Sequence, residues 1–231
     1  MSMDADLIRT ISIFALPLVF AITLHEAAHG YVAKHYGDLT AYAQGRVSLN
    51  PLRHIDLVGT LIVPLVILTL SHFAGSSILF GWAKPVPVNF GNLRNPKRDM
   101  RWVAAAGPGA NFAMALFWAV VLKLGTVAPE SYFSQPMMWM GAAGILVNVA
   151  LAVLNLMPLL PLDGGRILVS ILPPRLAYRF SLLEPYGMVI LLLLLFTGAL
   201  GWVLWPIIIG LLEATGRLIG FPELLALISS L

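Results

Sequence analysis

The chain has 231 residues, of which 59% are hydrophobic and only 11% are charged, and its mean hydropathy is +0.87. Soluble domains are about 45–50% apolar and about 25% charged, so a soluble fold of this size could not bury so much apolar surface. The net charge of +3 comes from basic residues spread thinly between apolar runs, a pattern typical of cytoplasmic loops and not of a protein that binds nucleic acid. The composition therefore predicts an integral membrane protein whose main surroundings are the lipid bilayer.

Five hydrophobic runs are candidates for crossing the bilayer, since a transmembrane helix needs about 20 predominantly apolar residues. They are Leu7–Gly30, Leu57–Phe80, Trp102–Leu124, Met137–Pro158 and Tyr186–Leu212. The fifth run contains glycine and proline, which predict a kink, and the tail from Phe221 predicts a short helix at the membrane interface. No repeat and no soluble module is visible. We therefore expect one membrane-embedded domain over 1–231, with its core at 7–172 and a C-terminal span and tail at 186–231.

The second run has the features of a segment that dips into the bilayer and returns to the same side. Its middle carries Ser71, His72 and a Gly-Ser-Ser stretch, and it is followed by Pro85–Val88, where alternating prolines prevent a helix. Non-helical backbone at membrane depth is tolerated only where it is buried in protein or lines a water-filled cavity. We therefore expect a re-entrant segment that ends in a membrane-associated β-strand beside a functional site.

The distribution of lysine and arginine favours the dip over a full crossing. With the dip, eleven basic residues share one face and three lie on the other, whereas a full crossing gives nine against five. Because basic residues concentrate on the cytoplasmic side, the dip predicts an N-terminus outside and a first span that ends at the cytosolic face. The expected fold is an α-helical polytopic membrane protein with a three-span core, a re-entrant segment with its β-strand, and one further C-terminal span. The eleven residues are Lys34, Arg46, Arg53, Lys84, Arg94, Lys97, Arg98, Arg101, Arg166, Arg175 and Arg179, and the three are Arg9, Lys123 and Arg217.

Two histidines on the first run have the spacing of a metal site. His25 and His29 are four residues apart on an apolar helix, so their rings project from one face, one turn apart. Glu26 follows the first histidine, where its carboxylate can face a water molecule at the metal without being a ligand. Ionisable side chains at membrane depth are costly unless they are paired or bind a metal. The pattern therefore favours a metal centre over a chance occurrence.

Sequence spacing alone does not identify the third metal ligand. The chain has no cysteine, so a metal must take imidazole and carboxylate ligands, and a catalytic zinc ion has three protein ligands. Asp163 stands out because it follows a span broken by Pro158 and Pro161 and precedes two glycines that let the backbone approach closely. The alternative is that Asp163 only N-caps a short helix over 166–172.

Four motifs occur in a defined order along the chain. They are HEAAH at 25–29, GWAKPVPVN at 81–89, GPGAN at 107–111, and the stretch from Asn155 through Pro158 to Leu162-Asp163-Gly164. In this combination the chain resembles the site-2 protease family of intramembrane zinc metalloproteases, in its compact branch without a PDZ or CBS domain. The resemblance covers most of residues 7–172 and is far more specific than HExxH alone.

The resemblance implies a zinc metalloendopeptidase that cleaves peptide bonds in or near transmembrane segments of other membrane proteins, in regulated intramembrane proteolysis. It implies one zinc ion bound by His25, His29 and Asp163, with Glu26 as the general base. It also implies a core of three spans with the metal reached from the cytosolic side, which agrees with the topology above. The expected partner is a transmembrane protein substrate, and an accessory or regulatory membrane protein remains open.

Three further residues are candidates for supporting roles. Asn111 and Asn155 could stabilise an oxyanion or hold the substrate backbone, and the alternative for each is a hydrogen bond between spans. A histidine stands at the position of His54 in the resembling branch, so an accessory or gating metal role is one interpretation. An ordinary histidine at the membrane interface is the other.

The stretch Pro85, Val86, Pro87 and Val88 has a functional interpretation of its own. A protease cannot hydrolyse a helix whose amides are all satisfied, so the substrate must unwind. An exposed strand edge here could capture the unwound segment by β-addition, with the prolines limiting self-association. The alternative is a simple linker.

Two other functions compete with proteolysis. A metal or proton transporter could use His25, Glu26, His29 and Asp163 as a relay, but a glutamate beside a ligand suits hydrolysis better, and no inverted repeat is visible. A catalytically inactive scaffold is disfavoured because no motif residue is missing.

Overall fold

The computed structural model describes residues 3–63, 66 and 81–231. Nine α-helices lie within these residues, and four are long and apolar enough to cross a bilayer, over Ile8–His35, Pro96–Val127, Ser134–Asn155 and Ala199–Leu218. The prediction of an α-helical, multi-pass membrane protein is therefore confirmed. The nine helices are α1 (Met3–His35), α2 (Thr40–Ala43), α3 (Pro96–Val127), α4 (Ser134–Asn155), α5 (Asp163–Ile171), α6 (Pro174–Ser181), α7 (Glu184–Phe196), α8 (Ala199–Leu218) and α9 (Leu224–Ser229).

Helix α3 is the centre of the bundle, and it packs against α1, α4 and α5. Small residues line its contact with α4. Ala115, Ala119 and Ala142 are buried there in one apolar core with Leu122 and Ile145. Lipid tails are as apolar as these side chains, so the helices associate through close van der Waals packing rather than through the hydrophobic effect. The central helix thereby brings residues of α1 and α5 to one place.

The C-terminal region differs from the predicted single span over Tyr186–Leu212. The chain forms two helices here, α7 and α8, and the break lies at Gly198, whose φ of +76° suits glycine and few other residues. The predicted boundaries are therefore wrong, because the expected kink is a complete interruption. Helix α8 is a candidate span by itself, and α6 and α7, which are bent by 63° relative to each other, together form either a broken span or a re-entrant pair.

Helix α7 lies against the loop that leads from α4 to α5. A methyl group added at Gly187 of α7 would overlap the carbonyl oxygen of Leu160 in that loop. Arg166 of α5 donates from Nη2 to Glu184 Oε1 of α7 at 2.7 Å, and its guanidinium carbon lies 4.9 Å from the centroid of the Phe90 ring. These contacts hold α7 close to both α5 and its loop.

The tail from Phe221 contains the expected helix, α9. This helix packs against α4 and α8, and its Leu224 is buried in the apolar core that α3 and α4 share. Its location at the membrane interface stays a prediction.

The two ends of the second hydrophobic run meet. The Trp82 amide donates to Gly59 O at 3.0 Å, and the Lys84 amide donates to His54 O at 2.9 Å. The hydrocarbon core of a bilayer is about 30 Å thick, so the ends of a segment that crossed it could not lie this close together. The contact agrees with the expected dip. Most of the predicted run, residues 64, 65 and 67–80, lies outside the described residues.

The predicted strand residues Pro85–Val88 lie in a stretch, 81–89, that has no regular secondary structure. No β-strand occurs in the part of the chain that the structure describes. The membrane-associated β-strand therefore stays a prediction.

Candidate metal centre

His25 and His29 of α1 and Asp163 of α5 bring three ligand atoms together. The two histidine Nε2 atoms lie 3.1 Å apart, and each lies 3.3 Å from Asp163 Oδ2. The histidines are 8% and 9% exposed, so the cluster is almost enclosed by protein. The three residues singled out as metal ligands therefore converge on one point.

Asp163 reaches this point because the chain bends sharply after α4. A loop containing Pro158 and Pro161 leads to Asp163, the first residue of α5. Leu162 takes the N-cap position and no side chain caps the helix, so Asp163 does not act as the N-cap. Its Oδ2 faces the two histidines but makes no well-oriented hydrogen bond within the described residues. A buried carboxylate oxygen without a partner is costly, and a metal ion at the cluster would compensate it.

The triangle of ligand atoms has the dimensions of a zinc site. Zinc binds imidazole nitrogen and carboxylate oxygen at about 2.0–2.2 Å in tetrahedral geometry, which separates neighbouring ligand atoms by about 3.3–3.6 Å. The separations of 3.1 and 3.3 Å are close to this range. Two imidazoles and one carboxylate also leave a fourth position for water or substrate, as catalytic zinc sites do. The donors therefore fit zinc.

Gly107 of α3 provides space beside these atoms. A methyl group added at Gly107 would come within 2.6 Å of His25 Nε2 and nearer still to His29 Nε2. The backbone of α3 thus passes directly over the ligand atoms. Any side chain at Gly107 would enter the volume that a bound ion needs.

Hydrogen bonds on the far sides of both imidazole rings orient the two histidines. His25 Nδ1 lies 2.6 Å from Asn111 Oδ1, and His29 Nδ1 lies 2.7 Å from the carbonyl oxygen of Val103. Both partner oxygens only accept hydrogen bonds, so each Nδ1 donates its proton, and in the neutral imidazole Nε2 then presents a lone pair to the cluster. Helix α3 therefore sets the orientation of both ligands on α1.

Asn111 belongs to a chain of buried amides that crosses three helices. Its side-chain NH2 group donates to Ala21 O at 3.2 Å and to Asn148 Oδ1 at 3.0 Å, so both hydrogens are engaged. The hydrogen bond between spans, one of the two interpretations of Asn111, is therefore present. In this arrangement no hydrogen remains for an oxyanion.

Asn148 is a residue that the sequence reasoning missed. It is fully buried in α4, and its own NH2 group donates to Gly144 O at 2.9 Å. The signal that could have found it is an amide in the middle of an apolar span, where polar groups are expensive. Asn155, which was predicted instead, donates to Leu151 O within its own helix at 3.0 Å. A contact between Asn155 and substrate stays a prediction.

Glu26 is turned toward the stretch 81–89. Its Oε2 accepts a hydrogen bond from the Val86 amide at 2.7 Å, and the side chain is half-buried. It is not one of the three clustered ligand residues. Its role as the general base stays a prediction.

His54 lies just before the second hydrophobic run and outside the cluster of ligand residues. It is 2% exposed, and its Nε2 donates to Ser48 O at 2.8 Å. Among the described residues, the cluster on α1 and α5 is the one group of three or more histidine, aspartate or glutamate side chains that could hold a metal ion. An accessory or gating role for His54 stays a prediction.

Asp38 anchors the other end of the 81–89 stretch to the loop after α1. Its Oδ2 accepts from the Asn89 amide at 2.7 Å, while its Oδ1 accepts from the Thr40 amide and hydroxyl and from the Asn92 side chain. Burial acts to raise the pKa of Asp38, but the hydrogen bonds from these three residues outweigh it and lower the pKa below 3.8. The ionised carboxylate thus holds the stretch against the end of α1.

Comparison with curated proteins finds metalloproteases that align over most of this chain. The protein named "Putative zinc metalloprotease YwhC" from Bacillus subtilis is 35% identical over 196 residues, which are 84% of this chain and 84% of that protein. The chain belongs to the site-2 protease family of zinc metalloproteases. The resemblance inferred from the four motifs is thereby confirmed.

More distant relatives of this site-2 protease carry the same description. Rip2 from Mycolicibacterium smegmatis is 29% identical over 207 residues, covering 85% of this chain and 73% of that protein. Rip3 from Mycobacterium tuberculosis is 29% identical over 154 residues, covering 66% of this chain and 29% of that protein. No family model and no solved structure matches the chain. The names of the relatives specify zinc, which is the metal that the ligand geometry fits.

Proposed function

We propose that this protein is an intramembrane zinc endopeptidase that hydrolyses peptide bonds in or near transmembrane segments of other membrane proteins. The observation that supports this most strongly is the position of three converging ligand residues and Glu26 on helices of a membrane bundle. His25, Glu26 and His29 all belong to the candidate span Ile8–His35. A substrate bond cut at this site would therefore be brought into or close to the bilayer.

His25, His29 and Asp163 hold one zinc ion in this proposal. When bound there, zinc supplies Lewis-acid polarisation of the scissile carbonyl and lowers the pKa of a water molecule. The residues of α3 keep both imidazoles in the tautomer that directs Nε2 at the ion. Gly107 keeps the space beside them clear.

Glu26 performs the proton transfers. It accepts a proton from the attacking water as the water oxygen bonds to the scissile carbonyl carbon. It then gives that proton to the amide nitrogen as the C–N bond breaks, so the products are a carboxylic acid and an amine. Asp163, the carboxylate within the cluster of three, serves as a ligand in this proposal.

The stretch Pro85–Val88 captures the unwound substrate in this proposal. It lies next to Glu26, as the Val86 contact shows. The carbonyl oxygens of Val86 and Pro87 have no hydrogen-bond partner within the described residues and could accept substrate N–H groups. Because Pro85 and Pro87 have no N–H, such pairing would depend mainly on donors in the substrate.

The distribution of basic residues supports an N-terminus outside and a metal centre nearer the cytosolic face. This orientation would admit substrates from the cytosolic half of the bilayer. Cleavage there suits regulated intramembrane proteolysis, in which a cytosolic fragment is released. An accessory membrane protein that controls access is compatible with this arrangement.

The proposal is tested with purified protein in detergent and a panel of single-span membrane proteins. Wild type should cut a panel member within or next to its span, and a zinc chelator should abolish the cut. Glu26→Gln should retain zinc, measured by mass spectrometry of the metal, but should lose at least about 1,000-fold in rate, since it cannot take up the proton. Glu130→Gln, on the exposed loop after α3, is the matched control and should cut normally.

Two results would contradict the proposal. Equal cleavage by wild type and Glu26→Gln would exclude the proposed general base. Zinc flux into vesicles that requires Asp163, without any peptide cleavage, would favour the transporter instead.

A further inference from the structure

Val86 supplies the one backbone donor of the Pro-Val-Pro stretch. Pro85 and Pro87 have no N–H, so no neighbouring amide can replace that of Val86. This amide donates to Glu26 Oε2 at 2.7 Å. The sequence thus presents a single N–H to the carboxylate, on a backbone that the two prolines restrict to an extended form.

Val86 is also packed tightly onto α1. Its side chain lies over Gly30, one turn after Glu26 on the same face of the helix, and a methyl group at Gly30 would come within 3.2 Å of Val86 Cγ1. Val86 is 6% exposed. Its amide and its side chain therefore contact α1 together, which fixes the direction of the N–H bond.

Contacts on both sides keep the stretch in place. Upstream, the Lys84 amide donates to His54 O at 2.9 Å, and Arg46 Nη2 donates to Lys84 O at 3.1 Å. Downstream, the Asn89 amide donates to Asp38 Oδ2 at 2.7 Å. None of these contacts involves a metal ligand. The position of the Val86 amide is therefore set independently of the metal.

We propose that Val86, through its backbone amide, is a positioning residue for Glu26. The inference rests on the proposed function, because it assigns Glu26 the proton transfers. A carboxylate on a flexible two-carbon stem can rotate away from a reacting water, and such misplacement is costly to the rate. The amide holds Oε2 and so fixes the carboxylate plane. Oε1, which has no hydrogen bond within the described residues, is left to meet the water.

Val86→Pro tests this contact, because it removes the N–H while the backbone stays extended between two prolines. We expect kcat to fall about 10- to 100-fold, as for a lost hydrogen bond to a charged group, with KM within about twofold and zinc content unchanged. Ala83→Pro makes the same change at an amide without a hydrogen bond in the described residues, and it should keep the wild-type kcat. Val86→Ala retains the amide, so its kcat should fall far less than that of Val86→Pro.

Thermal unfolding tests the hydrogen bond between Val86 and Glu26 without a measurement of activity. In thermal unfolding, Val86→Pro and Glu26→Ala should each lower Tm. The double variant should lower it by clearly less than the sum of the two, because both substitutions remove the same hydrogen bond.

Strictly additive losses of Tm would overturn the inference. An unchanged kcat in Val86→Pro, or a raised KM alone, would also overturn it, since the stretch would then contact only substrate. If wild type cuts nothing, the proposed function fails, while the unfolding cycle still decides whether the contact exists.

Discussion

His25 Nδ1 and Asn111 Oδ1 lie 2.6 Å apart, and this contact joins a ligand on α1 to the central helix α3. Asn111 is in turn held by Asn148 at 3.0 Å. Two amides in the middle of a membrane bundle are thus used to hold one imidazole in a single tautomer. The orientation of His25 depends on both of them, but more directly on Asn111.

Because Asn111 contacts His25 directly and Asn148 contacts only Asn111, substitutions of the two asparagines should weaken zinc binding to different extents. Asn111→Leu should weaken zinc binding about 10- to 100-fold, because it removes the acceptor that orients His25. Asn148→Leu should weaken it less, since His25 keeps its direct partner. Competition with a zinc-binding dye measures both variants in detergent. A larger loss in Asn148→Leu than in Asn111→Leu would show that the amides do not act in this order.

Gly107→Ala should abolish zinc binding, because the added methyl group would enter the space beside both Nε2 atoms. Gly109→Ala is the matched control two residues along the same helix. A methyl group there has nothing within 4 Å, so this variant should bind zinc as wild type does. The metal content of each purified variant is the measurement. Full zinc occupancy in Gly107→Ala would show that the ion lies elsewhere.

Asp38 gives the fold a pH dependence of known sign. Its pKa in the folded protein lies below 3.8, so its ionised form stabilises the fold above that value, and the stabilisation disappears as the pH falls through the folded pKa. Asp38→Asn should therefore lower the free energy of unfolding at neutral pH by about 1–2 kcal/mol. The difference from wild type should shrink in acid.

Thermal unfolding in detergent, followed from neutral pH to below 3.8, measures this difference. Glu130→Gln serves as the control on an exposed loop. A gap between Asp38→Asn and wild type that stays constant in acid would mean that the carboxylate charge does not contribute.

The proposed orientation of the chain predicts opposite labelling of two engineered cysteines. The chain has no cysteine of its own, so each new thiol is unique. Asn92→Cys, after the dip, should react with a membrane-impermeant reagent only from the cytosolic side. Tyr132→Cys, at a residue 98% exposed between α3 and α4, should react only from the outside. The reversed pattern, with Asn92→Cys labelled only from the outside and Tyr132→Cys only from the cytosolic side, would contradict the re-entrant topology.

The three residues that converge in the candidate metal centre could be predicted from the sequence because each carries a local signal. His25 and His29 follow the helical repeat, and Asp163 follows prolines that end a span. Spacing left Asp163 undecided between ligand and N-cap. The structure excludes the N-cap, since Leu162 takes that position, and it turns the carboxylate toward the histidines, as a ligand role requires.

The supporting contacts could not be predicted, because they join residues that are far apart in the chain. Nothing near Asn148 indicates that its partner is Asn111 on another helix. The contact between Val86 and Glu26 depends on how the chain from residue 81 onward packs on α1. Glycine and proline in the fifth run predicted a kink, but whether Gly198 bends or ends a helix depends on its backbone conformation, which composition does not reveal.

The close contact between Gly187 of α7 and Leu160 implies that the shortest active fragment of the chain includes α7. The family resemblance ends near residue 172, yet the loop that leads to Asp163 is packed against a helix that begins at Glu184. A chain that ended near residue 172 would keep His25, His29 and Asp163 but would lose the contacts of α7 with Leu160 and Arg166. Efforts to trim this enzyme, or to graft its metal centre elsewhere, should therefore retain α7.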